Sequence, residues 1–366
     1  LGVRSRRWRT PPPWRRGHSS SIGRMEGSLR PEAALMRVAV LGAGAVGARV
    51  ARQLLATDTV DSIVLRDTSA DRLARVGRSL GERVVLEHHP FPAAIEADAV
   101  VIATPRGTQF EAVEATIQAR RPAVLVGDGL AETIAVLALA GAAGRAGVPV
   151  AVGSGFAPGL SCLLAAHGRS WFESVEEIHV AKAGTGGPAC ALVHHRALSR
   201  RSFDWREGGW ARRPGGSGRE LIWFPDPVGP RDCYRAALPD PVLLHHAFPE
   251  VGRITARMAA TRRDRLTAPL PMLLPSHLEG GPGAVRVEVR GRRDGVEDVV
   301  VLGASGRPAV AAAAVAATAV EWLLTGRNRV RGMVGLAEMV EPLAFLDELA
   351  GRGLEAEVFE GDRALA

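Results

Sequence analysis

The stretch "RVAVLGAGAVGARVARQLLATD", residues 37–58, decides the fold. A short run of mostly β-branched apolar residues enters a glycine-rich turn, and apolar residues at helical spacing follow it. Gly42, Gly44 and Gly47 stand in the order G-x-G-x-x-G within that turn. Gly42 permits a tight turn, Gly44 lets the backbone approach a pyrophosphate, and Gly47 lets the helix pack on the strand. The stretch therefore predicts the strand, turn and helix of a dinucleotide-binding domain.

Two features next to this turn bear on the cofactor. The first turn of the helix, with Ala45 and Val46, offers backbone N–H groups to an anion. Asp67 falls twenty residues after Gly47, at the end of the next predicted strand, where a carboxylate can bond an adenosine ribose. Asp67 would repel a 2′-phosphate, which favours NAD, whereas Arg66 and Arg72 could bind that phosphate. The expected cofactor is NAD or NADP.

Apolar strands alternate with helices along the first part of the chain, which is typical of a parallel, doubly wound sheet. After the first strand, five more are predicted at "DSIVLRD" (61–67), "RVVLEHH" (83–89), "DAVVIATP" (98–105), "PAVLVGDG" (122–129) and "VPVAVGSG" (148–155). Six such strands predict an α/β Rossmann domain over residues 36–160.

A second domain is predicted over residues 161–303, where longer strands alternate apolar and charged residues. "GAVRVEVRGRRDGVEDVVVLGA" (283–304) reads as a hairpin, with Asp294 and Gly295 at its turn. This pattern predicts an α+β domain built on a mixed or antiparallel sheet. Residues 304–366 are expected to add helices and a strand that return to the Rossmann domain, beginning with a helix near Pro308.

Residues 1–35 carry most of the net charge of +7, with eight arginines against two glutamates. The remaining chain is close to neutral, which argues against a nucleic-acid partner. The segment has no apolar periodicity, so we expect it to be disordered. Met25 or Met36 would each be a natural start, so much of it is expected to be an over-called extension.

No apolar run in the sequence has the length and composition of a signal peptide or of a membrane span. We therefore expect a cytoplasmic protein with no membrane partner. Cys162, Cys190 and Cys233 lie far apart, which argues against a disulfide framework or a zinc ribbon.

Two further loops are predicted to line the cofactor, because open α/β sheets bind ligands at the carboxyl ends of their strands. Thr104 and Pro105 follow the fourth strand and are assigned to the nicotinamide half. In "GSGFAPGLS" (153–161), after the sixth strand, Phe156, Pro158 and Gly159 enter a helix that would point at the ligand.

Together, "GAGAVG" and the later G-x-G-F-x-P-G resemble the saccharopine dehydrogenase-like oxidoreductases. "FPDPVGPRDCY" (224–234) and the closing segment from "VGLAEMVEPL" are similar to the same family. Many members carry Asp before the Pro-Gly, and Ala157 stands there in this chain, which is similar to the lysine-dehydrogenase-like branch. The resemblance implies hydride transfer between a nicotinamide and an amino-acid-like imine, amine or carbonyl substrate, and it does not fix which one.

Lys182 is the only lysine in the chain. Such a reaction needs a group that gives or takes a proton, which a partly desolvated lysine can do and an arginine cannot. Lys182 ends the first predicted strand of the second domain, facing the predicted interdomain cleft, and is the candidate acid/base. The alternative is an exposed lysine on an edge strand. His194, or its neighbour His195, is a reserve candidate for proton transfer.

Three adjacent histidine pairs, at 88–89, 194–195 and 245–246, do not predict a metal site. Neighbours on a strand point to opposite faces, and no cysteine or carboxylate completes a ligand spacing. Tyr234, Arg231 and Arg235 are alternative ligands for substrate carboxylates.

The sequence thus predicts an NAD(P)-dependent dehydrogenase or reductase acting on a small molecule. Two alternatives stay open: a catalytically silent dinucleotide-binding protein and a Rossmann methyltransferase. The second domain is expected to expose a sheet, and such a sheet could pair two copies of the chain as a homodimer. The substrate is not specified.

Overall fold

The computed structural model describes residues 5–7, 36–90, 95–272, 277, 280–354 and 356–359. The segment 5–7 forms a short strand, β1 (Ser5–Arg7), that pairs antiparallel with the strand at Ala356–Phe359. The rest of the basic extension lies outside the described residues, so its disorder stays a prediction.

The first domain is a parallel sheet covered by helices, as the sequence predicts. Its strands are β2 (Met36–Leu41), β3 (Val60–Arg66), β4 (Val84–Glu87), β5 (Ala99–Ile102), β6 (Ala123–Leu125), β7 (Val150–Val152) and β16 (Met333–Gly335). Its helices are α1 (Gly47–Leu55), α2 (Ala70–Gly77), α3 (Gln109–Gln118), α4 (Leu130–Leu137), α5 (Ala140–Ala146) and α10 (Pro308–Leu324).

Among the described residues the sheet has seven strands, in the order β16-β7-β6-β5-β2-β3-β4. Every pairing is parallel. The chain moves outward from β2 to β4 and then restarts at β5 on the other side of β2. This reversal is the switch point at which doubly wound sheets open a crevice for a ligand. The Rossmann prediction is confirmed, with one strand more than the sequence suggested.

The second domain is a mixed sheet. Its strands are β8 (Ser174–Ala183), β9 (Ser202–Arg206), β10 (Gly209–Arg213), β11 (Glu220–Trp223), β12 (Pro230–Arg235), β13 (Arg253–Ala259), β14 (Gly283–Arg293), β15 (Val296–Gly306) and β17 (Ala356–Phe359). The remaining helices are α6 (Leu160–Arg169), α7 (Pro188–Ser199), α8 (Asp240–Ala247), α9 (Arg262–Thr267), α11 (Leu336–Met339) and α12 (Pro342–Gly351).

Strand β8 lies inside this sheet, parallel to β13 on one side and antiparallel to β14 on the other. The β14–β15 hairpin turns at Asp294 and Gly295, with φ of 54° and 74°, as the sequence predicts. A second hairpin, β9–β10, turns at Glu207 and Gly208, and the sequence analysis missed it.

Helix α6 joins the two domains. It follows β7 of the first sheet, packs on β14 and β15 of the second, and is buried along nearly its whole length. Buried apolar residues of both domains form one continuous core around it. The loop that begins α6 is thereby held rigidly against the second sheet.

The closing segment returns to the first domain in part. Helix α10 packs on α1, β5 and β6, and β16 pairs with β7. The last strand, β17, pairs with β15 of the second sheet instead.

Candidate active site

The glycine turn has the geometry that a pyrophosphate site needs. Gly42 has a φ of 101°, and a Cβ there would lie 2.5 Å from the Ala103 carbonyl oxygen. A Cβ on Gly47 would overlap the Gly42 carbonyl oxygen, whereas a Cβ on Gly44 would meet open space. In the described chain no backbone hydrogen bond uses the N–H groups of residues 44–46. The turn thus presents orphan donors beside an open approach.

Asp67 is fixed at the mouth of this turn. Its carboxylate accepts hydrogen bonds from the Ala43 N–H and the Ser69 N–H, both at 2.8 Å, and from the Arg72 guanidinium at 3.1 Å. Arg66 is buried and pairs with Glu87. Both arginines that could have received a 2′-phosphate are therefore engaged with carboxylates, and Asp67 itself is 4% exposed. This arrangement favours a ribose hydroxyl over a phosphate.

Thr104 and Pro105 follow β5, directly across the switch point. Thr104 is buried, and its Oγ1 has no hydrogen-bond partner within the described residues. A buried hydroxyl without a partner costs free energy, so this atom is placed to receive a bond from a ligand. Pro105 is exposed at the edge of the same loop.

Backbone hydrogen bonds within the loop after β7 hold residues 155–160 in a tight turn. The Gly155 N–H donates to the Pro158 carbonyl at 2.9 Å, and the Leu160 N–H donates to Gly155 at 3.0 Å. Gly159 has a φ of 128° and begins α6. Phe156 and Pro158 are buried within this loop. The same loop contains Ala157, which stands where many saccharopine dehydrogenase-like oxidoreductases carry Asp.

Lys182 lies near the end of β8 and is only 2% exposed. Its Nζ donates to the Ala157 carbonyl at 3.0 Å and lies 2.7 Å from His194 Nε2. Lys182 and the reserve candidate His194 are thus in direct contact, and Lys182 also touches the loop of the first domain. The alternative of an exposed lysine on an edge strand is wrong, because β8 is internal and the side chain is buried.

Two residues that the sequence analysis did not select complete this cluster. His194 Nε2 lies 3.0 Å from Asp128 Oδ2, and the Cys190 thiol donates to the same oxygen at 3.1 Å. Asp128 follows β6, while Cys190 and His194 stand one turn apart on α7. The signal for Cys190 was its i, i+4 spacing from His194, but no helix was predicted at residues 188–199. Asp128 carries no such signal.

His194 Nε2 faces a lysine amine and a carboxylate at once. One ring nitrogen carries either a proton or a lone pair, so it cannot donate to Asp128 and accept from Lys182 together. The two hydrogen-bonding states differ by the position of one proton. The contact would permit a proton to pass between Lys182 and His194, and Asp128 lies against the same ring nitrogen.

Burial and neighbouring charges shift the pKa values of several groups in the cluster. Burial acts to raise the pKa of Asp128, but the hydrogen bond from His194 and the nearby charges of His194 and Lys182 bring it down to about 2. Burial and the charge of Lys182 lower the pKa of His194. Burial and Asp128 raise the pKa of the Cys190 thiol well above its usual value. At neutral pH the cluster holds a carboxylate, a neutral imidazole and a thiol.

Asp240 supplies a second carboxyl near Lys182. It is fully buried, its Oδ1 accepts from Ser161 Oγ at 2.6 Å, and its Oδ2 has no partner within the described residues. Burial raises the pKa of Asp240, and the charge of Lys182 opposes that rise.

The reasons for expecting no metal site are wrong in two respects. His194 and His195 lie on α7 and the pair at 245–246 on α8, not on strands, and a cysteine and a carboxylate do lie beside His194. Donor atoms of Asp128, Cys190 and His194 lie within 4.8 Å of one another. The Lys182 amine lies against the same His194 nitrogen, however, and its positive charge disfavours a cation there.

Other candidates are engaged elsewhere. His195 Nε2 lies 3.1 Å from the Leu270 carbonyl. Tyr234 is 1% exposed beneath the Arg265 guanidinium, Arg235 pairs with Asp204, and Arg231 bonds the adjacent Pro230 carbonyl. Within the described chain none of these four makes a hydrogen bond or ion pair with Lys182 or His194.

Comparison with known proteins identifies the first domain. Residues 36–154 match the Gfo/Idh/MocA model of an oxidoreductase family with an NAD-binding Rossmann fold. This part of the chain is therefore similar to the NAD-binding Rossmann domains of that family, and the predicted cofactor class is confirmed. No curated protein sequence matches the chain.

Three solved structures are similar to this chain, and the first of them has a similar fold over most of its length. Saccharopine dehydrogenase (L-Glu forming) of Saccharomyces cerevisiae is 14% identical, with a TM-score of 0.64, over 88% of this chain and 99% of that one. GenD2 of gentamicin A biosynthesis, solved with NAD, is 16% identical over 91% of this chain and 100% of that one, with a TM-score of 0.43. A probable dehydrogenase of Thermotoga maritima is 13% identical over 87% and 96%, with a TM-score of 0.46. The first of these confirms the predicted saccharopine dehydrogenase-like fold.

In the described part of the chain, no helix combines the length and apolar character that a membrane crossing requires.

Proposed function

We propose that the protein transfers a hydride between NAD and an imine, amine or carbonyl carbon of a small, amino-acid-like substrate. The observation that carries this proposal is the contact of the chain's only lysine, Lys182, with His194 at 2.7 Å and with Ala157 at 3.0 Å. Ala157 belongs to the loop after β7, at the carboxyl edge of the cofactor sheet. In this proposal the two side chains exchange a proton beside the edge at which the cofactor is expected to bind.

The first domain fits the cofactor residue by residue. Orphan N–H groups at Gly44, Ala45 and Val46 would receive the pyrophosphate, and Asp67 would bond the adenosine ribose. The Thr104 hydroxyl would bond the nicotinamide half, with Pro105, Phe156, Pro158 and Gly159 lining the same edge. NAD, when bound, supplies the carbon that accepts or gives the hydride.

The second domain supplies the proton. During reduction, the new amine or alcohol of the substrate must gain a proton, and during oxidation it must lose one. Lys182 gives or takes that proton, and His194 exchanges it with Lys182. Asp128 stays ionised and holds the imidazole ring. Burial of the cluster excludes water from competing for the same proton.

Titration with NADH, NADPH and S-adenosylmethionine separates this proposal from the alternatives. We expect nicotinamide fluorescence to report saturable NADH binding, and S-adenosylmethionine not to displace it. Binding of S-adenosylmethionine alone would indicate a methyltransferase, and no nicotinamide binding at about millimolar concentration would refute the proposal. A cytoplasmic location and a homodimer remain predictions from the sequence.

A further inference from the structure

A cleft of about 230 Å³ opens between the two domains, next to the Lys182 cluster. Leu130 and Ile134 of α4 lie on one side, and Val193 of α7 and Phe203 of β9 lie on the other. These side chains give the cleft an apolar floor. Gly129 and Val193, which line the cleft, are the sequence neighbours of Asp128 and His194, so the cleft lies close to the Lys182 cluster.

Five arginines surround this floor: Arg106, Arg196, Arg200, Arg201 and Arg212. The Arg212 guanidinium rests 4.8 Å from the centre of the Phe203 ring. Within the described residues the other four form no ion pair or side-chain hydrogen bond, and no aspartate or glutamate lines the cleft. Several arginines elsewhere in the second domain are paired, such as Arg253 with Glu177 and Arg257 with Glu220.

This concentration of uncompensated positive charge costs electrostatic free energy that an anion would recover. Arg196 lies in the last turn of α7, and Arg200 follows that helix with an extended backbone. Both side chains line the cleft, so their guanidinium groups can approach one anionic group there. Arg106 follows Pro105, in the loop that lines the nicotinamide half of the cofactor. The cleft thus runs from the cofactor edge to an arginine rim.

We infer that this cleft binds a small organic anion with an apolar body, a carboxylate or phosphate held by Arg196 and Arg200 and the body seated against Leu130, Ile134 and Phe203. This inference rests on the proposed function, because it makes the cleft the site of the substrate's anionic, apolar end. The cleft offers no carboxylate to an ammonium group. The reacting amine or carbonyl carbon therefore lies outside it, toward Lys182, Asp128 and Asp240.

Calorimetric titration of the full chain with 4-phenylbutyrate tests the inference. Phenyl phosphate provides the alternative anion, 4-phenylbutylamine has the same apolar body with a cation, and inorganic phosphate has the anion without the body. We expect both organic anions to bind with one site per chain and more weakly as salt rises. The amine should not bind, and inorganic phosphate should bind far more weakly.

Replacing both Arg196 and Arg200 by glutamine should weaken 4-phenylbutyrate binding by about tenfold or more, since charge-assisted hydrogen bonds are lost. Both side chains are exposed and unpaired, so the double variant should fold normally. Arg145→Gln removes an equally exposed arginine of α5 and serves as the matched control, with binding unchanged.

Equal binding of the amine, no binding of either organic anion at millimolar concentration, or an unaffected double variant would overturn the inference. Phosphate binding as tightly as the organic anions would reduce the cleft to a general anion site and overturn it as well. Displacement of 4-phenylbutyrate by NADH would show that the cofactor occupies the cleft, and this result would also overturn the inference. NADH binding measured on the same samples keeps the two claims apart, because failure of the probe with intact NADH binding refutes only this inference.

Discussion

Lys182 Nζ lies 2.7 Å from His194 Nε2, inside a site closed by both domains. The same imidazole nitrogen lies 3.0 Å from Asp128. A lysine buried in this way is stabilised by the carboxylates of Asp128 and Asp240 nearby. Arginine is the basic side chain at every other Lys or Arg position in this chain. At this position arginine would hold its proton permanently, whereas the proposed function needs a group that releases it.

Replacing His194 by glutamine should lower turnover by about 10²-fold to 10⁴-fold, because general acid–base catalysis contributes that much. Glutamine keeps a polar side chain of similar length but cannot exchange a proton. His195→Gln on the same helix is the matched control and should leave turnover unchanged. Steady-state rates of both variants check this, and equal rates in the two would contradict the role of His194.

The stability of the protein should depend on the protonation of His194. Its pKa is lowered in the fold by burial and by Lys182, so below about pH 6.5 the unfolded chain binds a proton that the folded chain does not. The stabilisation from a neutral His194 is thus complete above that pH and is lost as the pH falls. Asp128 adds a second loss of stability as the pH falls from the ordinary pKa of an aspartate to about 2, its pKa in the fold.

Melting temperatures of the wild type and His194→Gln at pH 7.5 and 5.5 measure this effect. The wild type should lose more on acidification than the variant, because the variant lacks the titrating imidazole. Lys182, Asp128, Cys190 and Asp240 surround the group in both proteins, so they act as a common background. An equal loss in the two proteins would show that His194 does not contribute.

Two glycines of the turn should respond differently to alanine. Gly47→Ala places a methyl group against the Gly42 carbonyl oxygen and should lower the free energy of unfolding by about 1–3 kcal/mol. Gly44→Ala meets open space and should leave stability unchanged while weakening NADH binding, because the methyl group occupies the approach of the pyrophosphate. Denaturant unfolding and NADH titration of both variants test the pair. Loss of stability without loss of binding in Gly44→Ala would contradict the site.

Asp67 should determine the choice between NADH and NADPH. The wild type is expected to bind NADH more tightly, since the buried carboxylate meets a 2′-phosphate with like charge. Asp67→Asn should reduce that preference by about tenfold or more. Asp71→Asn, on the exposed side of α2, is the control. A ratio of dissociation constants that is the same in all three proteins would contradict the assignment.

Much of the cofactor domain was predictable, because it is encoded locally. The sequence motif places the Gly42–Gly47 turn and Asp67 at fixed spacing after the first strand. The parallel sheet then brings the carboxyl ends of the strands to one edge. Strand β16 was missed because it has three residues and pairs only through the tertiary fold. Helix α7 was missed because Gly-Gly-Pro before it indicated a loop, although Pro188 at its first turn begins a helix.

The side-chain cluster around Lys182 was predictable only in part. The uniqueness of Lys182 and its position at the end of a strand pointed to it, and His194 was named as a neighbour in sequence. Asp128 comes from the other domain and Cys190 from an unrecognised helix. Asp240 lies 58 residues beyond Lys182 in the numbering and reaches the site through α8. Only the packing of β8 between β13 and β14 and the docking of α6 bring these groups together.

The most direct test of the proposed function compares the wild type with Lys182→Arg and Lys182→Met. NADH oxidation is measured with a panel of 2-oxo acids in the presence of ammonium, and NAD reduction with a panel of amino acids, alongside NADH dissociation constants. We predict turnover of at least one compound by the wild type, a loss of about 10²-fold or more in both variants, and unchanged NADH affinity. Undiminished turnover in the variants, or a wild type that binds NADH and turns over no compound of either panel, would contradict the proposal.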